Sequence, residues 1–221
     1  MLPSDYFDTA HCPFAEIFDE ARPVWEALKK IRAWLKKQKL GQIEGEVSSS
    51  AFLVNPEEIY IGKGAVVEPG AYLKGPLWIG EGATIRHGAY LRGDLIAGDK
   101  VVIGHDTEVK QAIFLTGAHA AHFAYVGDSI LGRDVNLGAG VKLANLRLNG
   151  QEISVAGIST GLRKFGAVIG DGTQVGCNAV LNPGTLVGRG SDIFPLVNVS
   201  GLIPARSRVT SHLSVEIRPK K

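Results

Sequence analysis

Large side chains are scarce in this chain. Aromatic residues make up 7% of its 221 residues and methionine occurs once, so a conventional core of interlocking bulky groups is not expected. Cysteine occurs twice, at Cys12 and Cys177. That pair excludes a zinc-ribbon spacing or a disulfide framework and suits a reducing compartment. Charge of either sign is not in excess. A net charge of +2 gives no support to nucleic acid or an anionic membrane surface as the main partner. No run approaches the roughly 18 apolar residues of a membrane span. The opening "MLPSDYFDTAHCPF" lacks the basic and then apolar layout of a signal peptide. The expectation is a cytoplasmic protein, long enough for one domain with an appended segment.

What the chain does have is glycine, 28 residues of it, and a rhythm. From Ile61 an aliphatic or small residue returns every six positions: Ile61, Val67, Leu73, Ile79, Ile85, Leu91, Ala97, Ile103, Val109. Five-residue steps from Val109 to Phe114 and from Val126 to Leu131 adjust the phase, and the rhythm resumes from Ile169 to Val199. A period of six fits neither the 3.6 of an α-helix nor the alternation of a single strand. It fits short strands joined by turns, each adding one side chain to a shared interior column. Gly and Asp supply the backbone freedom those turns need. The pattern resembles the hexapeptide-repeat family, which implies an all-β solenoid, the left-handed parallel β-helix, with three hexads per coil and a homotrimeric assembly. The handedness comes from the resemblance alone, because right-handed crossover rules do not predict it.

Two stretches break the rhythm. Residues 14–39, "FAEIFDEARPVWEALKKIRAWLKKQK", read as helical, with Phe14, Ile17, Phe18, Ala21, Trp25, Leu28 and Leu35 near one face and Pro23 opening a second helix. Acidic residues among the basic ones favour docking on the β-helix or a neighbouring subunit over a membrane surface. The second break, Leu146 to Ala167, is an excursion whose "LNGQ" suggests the turn of a small hairpin. The expected organisation is a helical segment at 1–45, a β-helix at 46–205 with an inserted loop at 146–167, and a tail at 206–221.

Polar residues on the coils must face outward or find hydrogen bonds. His122 lies two positions after the inward Ala120 and so is expected to face out. Singly, His122, Arg92, Lys110, Asn136, Asn145 and Lys164 each read as ordinary surface residues. Arg92 and Lys110 are 18 residues apart, one coil, and would stack at about the ~4.8 Å spacing of neighbouring strands. Stacked cations repel. A phosphate would relieve them, and so would local carboxylates such as Asp94 and Glu108.

"EVKQA", "AHFAYVGD", "LGRDVNLGAG" and "RKFGAVIGDG" resemble the acetyltransferase domain of bifunctional enzymes that make UDP-N-acetylglucosamine. The resemblance is closest to the archaeal sugar-1-phosphate nucleotidylyltransferase/acetyltransferases and covers about residues 50 to 205. It implies an N-acetyltransferase that takes acetyl from acetyl-CoA to the amine of a hexosamine-1-phosphate, with glucosamine-1-phosphate the expected acceptor. Carried over by position, His122 is the general base. Tyr125, Arg92, Lys110 and Lys164 surround the sugar phosphate, and Asn136 and Asn145 hold the amino sugar. Ala139, Cys177 and Pro195 fall at coenzyme-contacting positions. This sequence departs from the bacterial pattern at Cys177 (serine there), Pro195 (alanine there) and Leu146 (tyrosine there). No metal is implied. No glycine-rich nucleotidyltransferase signature precedes the repeat, and that domain would need roughly 200 residues, so a separate sugar nucleotidyltransferase is the expected partner.

A His can accept the proton of the attacking amine near neutral pH, and the cations would align the acceptor. Two other readings compete. Trimeric β-helical carbonic anhydrases share the repeat, and "LRGD" is similar to one of their local patterns, but the spacings of His87, His105, His119 and His122 do not reproduce their metal-binding histidines. A non-catalytic β-helix that only assembles subunits is the other.

Overall fold

The computed structural model describes residues 1–10 and 12–211. Successive levels stack in parallel ladders that form three walls. The first wall rises from Gln42–Ile43 through Ile59–Ile61, Leu77–Ile79 and Leu95–Ala97 towards Leu202–Ile203, and the second is nine strands from Glu46–Val47 to Arg208–Val209. The third runs from Phe52–Val54 through Tyr72–Lys74 and Tyr90–Leu91 to Asn198–Val199. One wall and one corner consume one hexad, which is why the sequence repeats as it does. Within each short strand neighbouring side chains point to opposite faces. Ile61, Val67, Leu73, Ile79, Ile85 and Leu91 all turn inward and join a single buried core. Corners demand left-handed backbone: Gly64 (φ 67°) and Gly82 (φ 62°) supply it on successive levels at little conformational cost. The ladder begins at Gln42 and continues to Val209, beyond both expected limits, 46 and 205. Of the expected tail, residues 212–221 lie outside the described residues.

Two corners are shortened. At the five-residue steps the chain passes from the third wall to the first without leaving the ladder, in the continuous strands Glu108–Phe114 and Tyr125–Leu131. Losing one residue leaves no separate turn, so one left-handed residue makes each bend: Gln111 (φ 48°) and Asp128 (φ 47°).

Across its middle levels the first wall is buried on both sides, which accounts for the unbroken apolar triplets "LIA", "AIF" and "AVI" there. Ile96, Ile113, Ile130, Val168 and Leu186 face outward there and pack under the N-terminal segment. That segment contains α1 (Pro3–Tyr6), a 3-10 turn (Ala15–Ile17) and α2 (Glu26–Leu35). Regular helix is therefore much shorter than the expected 14–39. Pro23 lacks an N–H and enters a turn, with Glu26 N–H donating to its carbonyl at 2.9 Å, before α2 starts. Leu28, Ile31 and Leu35 are buried beneath α2. Trp34 meets Trp78 edge-on at 5.5 Å between ring centroids, and Trp25 leans on Phe165 at 6.2 Å. Arg32 grips Asp94 through two bonds of 2.9 and 2.8 Å, and Lys29 donates to the Thr160 carbonyl at 3.0 Å.

The second break contains a hairpin, Ile153–Val155 antiparallel to Ile158–Leu162. Its turn is Ala156–Gly157 and not the expected "LNGQ". A tight two-residue hairpin turn wants positive φ at both centres, and these residues have 48° and 80°. Gly150 instead closes a separate turn, its N–H donating to Arg147 O at 2.9 Å.

Since Ile113 lies between the ladder and the N-terminal segment, Ile113→Asp is expected to place an unpaired charge there at a cost of several kcal/mol. Limited proteolysis should then cut within residues 8–40, while the β-sheet signal in circular dichroism persists. Equal resistance of both proteins to cleavage would contradict the packing described.

Candidate active site

The shortened corners gather polar groups. Ladder register places Lys74, Arg92 and Lys110 on three successive levels at the edge between third and first walls. Arg92 Nη1 meets Glu108 Oε1 at 2.7 Å. Lys110 Nζ sits between the two oxygens of Asp128, at 3.1 and 3.2 Å. Asn145 Nδ2 donates to the same carboxylate at 2.5 Å. The Tyr125 hydroxyl and the Asn145 amide converge over Gly127, where an added Cβ would stand 2.7 and 2.6 Å from them. Glycine leaves both groups the space to meet there. Burial, with Asp128 and Glu108 nearby, holds the Tyr125 phenol above its usual range, so it is a neutral O–H donor at physiological pH.

Of the carboxylates expected to neutralise the two stacked cations, Glu108 does so. Asp94 does not, because Arg32 of α2 has captured it. Lys110 is neutralised instead by Asp128, which the sequence reading passed over. Lys164 is exposed and makes no ion pair among the described residues. It reaches this edge through its neighbour Phe165, whose N–H donates to Asn145 O at 2.9 Å.

His122 lies at the opposite end of the third wall. It ends the strand His119–His122 and is the ladder partner of His105, so His87, His105 and His122 occupy one corner on successive levels. The His87 and His105 rings stack with centroids 5.4 Å apart, and their Nδ1 atoms face carbonyls of the level below, Pro69 O at 2.7 Å and His87 O at 3.2 Å. The ring of His122 has no hydrogen-bond partner among the described residues. Ala139 is next in this corner, where Gly140 N–H donates to His122 O at 3.1 Å.

The second wall beyond that corner carries a groove of about 380 Å³ lined by Asn136, Gly138, Gln174, Gly176, Cys177 and Pro195, among others. Asn136 pairs with Gln174 across the ladder, and Cys177 is an exposed free thiol. Small residues leave the backbone accessible, so the groove suits an extended, largely apolar arm better than a compact charged group. It does not extend to the cationic edge.

The expected site residues thus fall into three places in order around the prism. Asn136, Cys177 and Pro195 line the groove, and Ala139 and His122 form the corner beside it. Tyr125 lies on the wall beyond, leading to Arg92, Lys110, Asn145 and Lys164 at the far edge. Asp128 and Gly127 were missed. Their signal was the five-residue step through which they run.

Comparison with known proteins agrees with this architecture. The family profile described as the GMPPB C-terminal domain matches residues 73–160. A bifunctional sugar-1-phosphate nucleotidylyltransferase/acetyltransferase of Sulfurisphaera tokodaii is 41% identical over 92 residues, covering 40% of this chain and 23% of that protein. A bifunctional protein GlmU of Methanococcus maripaludis is 31% identical over 170 residues, 76% of this chain and 41% of that protein. The chain spans less than half the length of these curated relatives. Among solved structures, a UDP-N-acetylglucosamine acyltransferase from Campylobacter jejuni superposes with a TM-score of 0.51 at 18% identity, over 72% of this chain and 69% of that one. The chain is a left-handed parallel β-helix of hexapeptide repeats, similar in sequence to the C-terminal region of bifunctional sugar-1-phosphate nucleotidylyltransferase/acetyltransferases.

Proposed function

We propose that this protein is an acetyl-CoA-dependent N-acetyltransferase whose acceptor is the amine of a hexosamine-1-phosphate, glucosamine-1-phosphate foremost. The observation that carries the reading is the order of groups around the prism: a groove for an acyl donor, an imidazole, a tyrosine, then an edge of cations and amides. The sequence relatives, whose names include acetyltransferase activity, support the same reaction class. The groove at Cys177 and Pro195 would take the pantetheine arm of the donor, and Asn136, which also lines it, would hold the amino sugar near the acetyl group. Arg92, Lys110 and Lys164 would bind the acceptor phosphate, with Tyr125 and Asn145 donating to the phosphate or sugar hydroxyls.

In the reaction His122 accepts a proton as the acceptor nitrogen bonds to the acetyl carbon. The carbon–sulfur bond then breaks, and the proton passes to the departing thiolate. The Ala139 N–H meets no acceptor among the described residues and is available to the thioester oxygen as negative charge develops there. Cys177 serves as part of the groove wall, with no covalent role. The groove and the cationic edge flank different walls of one chain, so closing the site around both substrates calls for a second copy. A homotrimer, with a sugar nucleotidyltransferase consuming the product in the cytoplasm, completes the reading.

The deciding assay follows release of free thiol from acetyl-CoA with glucosamine-1-phosphate and, separately, galactosamine-1-phosphate. Saturable release with one of them is expected, and release with neither would sink the assignment. His122→Ala should fold normally and lose about 10²-fold or more in kcat; unchanged turnover removes His122 from the chemistry. Lys110→Ala should raise KM for the sugar phosphate by about tenfold or more while leaving that for acetyl-CoA in place. Equal effects on both constants would argue against a phosphate at this edge.

A further inference from the structure

We infer that Asp128 is the positioning residue of the cationic edge, holding Lys110 and Asn145 in the geometry that receives the anionic group of the acceptor; this rests on the reading of that edge as the acceptor site. The two carboxylates there look alike in a charge count and differ in construction. Glu108 is about one-third exposed, and its partner Arg92 more so. Their bond is a surface pair, worth little and readily exchanged for another anion. Asp128 is 2% exposed. A carboxylate that deep is tolerated only when its oxygens are engaged, and here they take the Lys110 ammonium and the Asn145 amide together.

The backbone under Asp128 is fixed as firmly as the side chain. Its φ of 47° makes the shortened bend, a conformation that Asp and Asn adopt more readily than most residues. Its carbonyl accepts the Gly166 N–H at 2.8 Å. The next residue, Ser129, donates to Gly127 O at 2.7 Å and accepts the Ala167 N–H at 3.0 Å. Gly166 can approach this closely only because it lacks a side chain: a Cβ there would overlap Ser129 Oγ and Gly127 O. The excursion therefore leaves the coil at Asn145 and returns at Gly166 with both ends tied to Asp128. Lys110 and Asn145, otherwise long or freely rotating side chains, are held before any ligand arrives, so the ordering cost is met on folding.

The sign of one substitution separates positioning from simple charge. An anion near Lys110 repels a phosphate, so a carboxylate acting only through its charge should weaken acceptor binding, and removing it should tighten binding. Glu108→Gln is expected to behave that way, lowering KM for glucosamine-1-phosphate a few-fold. Asp128→Asn keeps the shape and tolerates the left-handed bend, yet offers a single acceptor oxygen. It should raise that KM tenfold or more, leave KM for acetyl-CoA in place, and add little further loss in a Lys110→Ala background, because residues in one network are not additive. A lowered or unchanged KM in Asp128→Asn would overturn the inference. Crystal structures of the wild type and Asp128→Asn, without substrate, give a second reading that is independent of the reaction. Displaced Lys110 and Asn145 side chains support positioning, and unmoved ones overturn it. If the wild type turns over neither hexosamine phosphate, the functional assignment fails, while the structural comparison still decides the role of Asp128.

Discussion

Register in the parallel ladder is the constraint from which the rest of the molecule follows. Each level sits on the one below with its strands in fixed alignment, so a residue's height and wall are set by its place in the count of hexads. Columns follow without design of individual contacts. Inward columns fill with aliphatics, one outward column carries Lys74, Arg92 and Lys110, and one corner carries His87, His105 and His122. A site built on such a ladder gains stiff spacing, because moving one group means moving a whole rung. It is also confined to the surface, since the interior is filled.

Departures from the count are where buried polar groups gather. Both five-residue steps fall at the edge between the third and first walls, and both bends there carry left-handed residues, Gln111 and Asp128. Just above them the chain leaves on the Leu146–Ala167 excursion. A shortened corner draws the chain in, and this is how an aspartate comes to be 2% exposed on the rim of a solenoid. Nearby, Arg32 of α2 holds Asp94, and Lys29 holds the hairpin at Thr160. The N-terminal segment thus braces the edge that carries the candidate acceptor groups.

How much of this the sequence disclosed depends on whether a feature was periodic or contingent. The repeat was plain because dozens of inward positions obey it together. The covering of the first wall was visible in outline, in the amphipathic stretch at 14–39; the apolar triplets that it covers were not singled out. Helix length was overestimated at both ends of the stretch: Pro23 reads as opening a second helix, but that helix starts at Glu26 after a turn and stops at Leu35, and before Pro23 only the 3-10 turn Ala15–Ile17 forms. The hairpin was foreseen but its turn misplaced: "LNGQ" has the stronger composition, yet register with Ile158–Leu162 selects Ala156–Gly157. Asp94 seemed available to Arg92 by proximity in sequence, and only the docked α2 shows that it is taken. Asp128 was least legible. In "YVGDSI" it looks like turn filler, and its burial depends on three segments brought together from separate levels.

The covered first wall gives the prism a back. In the trimer proposed above, copies meeting on the two uncovered walls would carry their N-terminal segments at the periphery, away from the common axis. Additional polypeptide joined at that end would hang outside such an assembly and leave its contacts untouched. The coil can therefore accept chain joined at that end without any rung of its ladder being rebuilt.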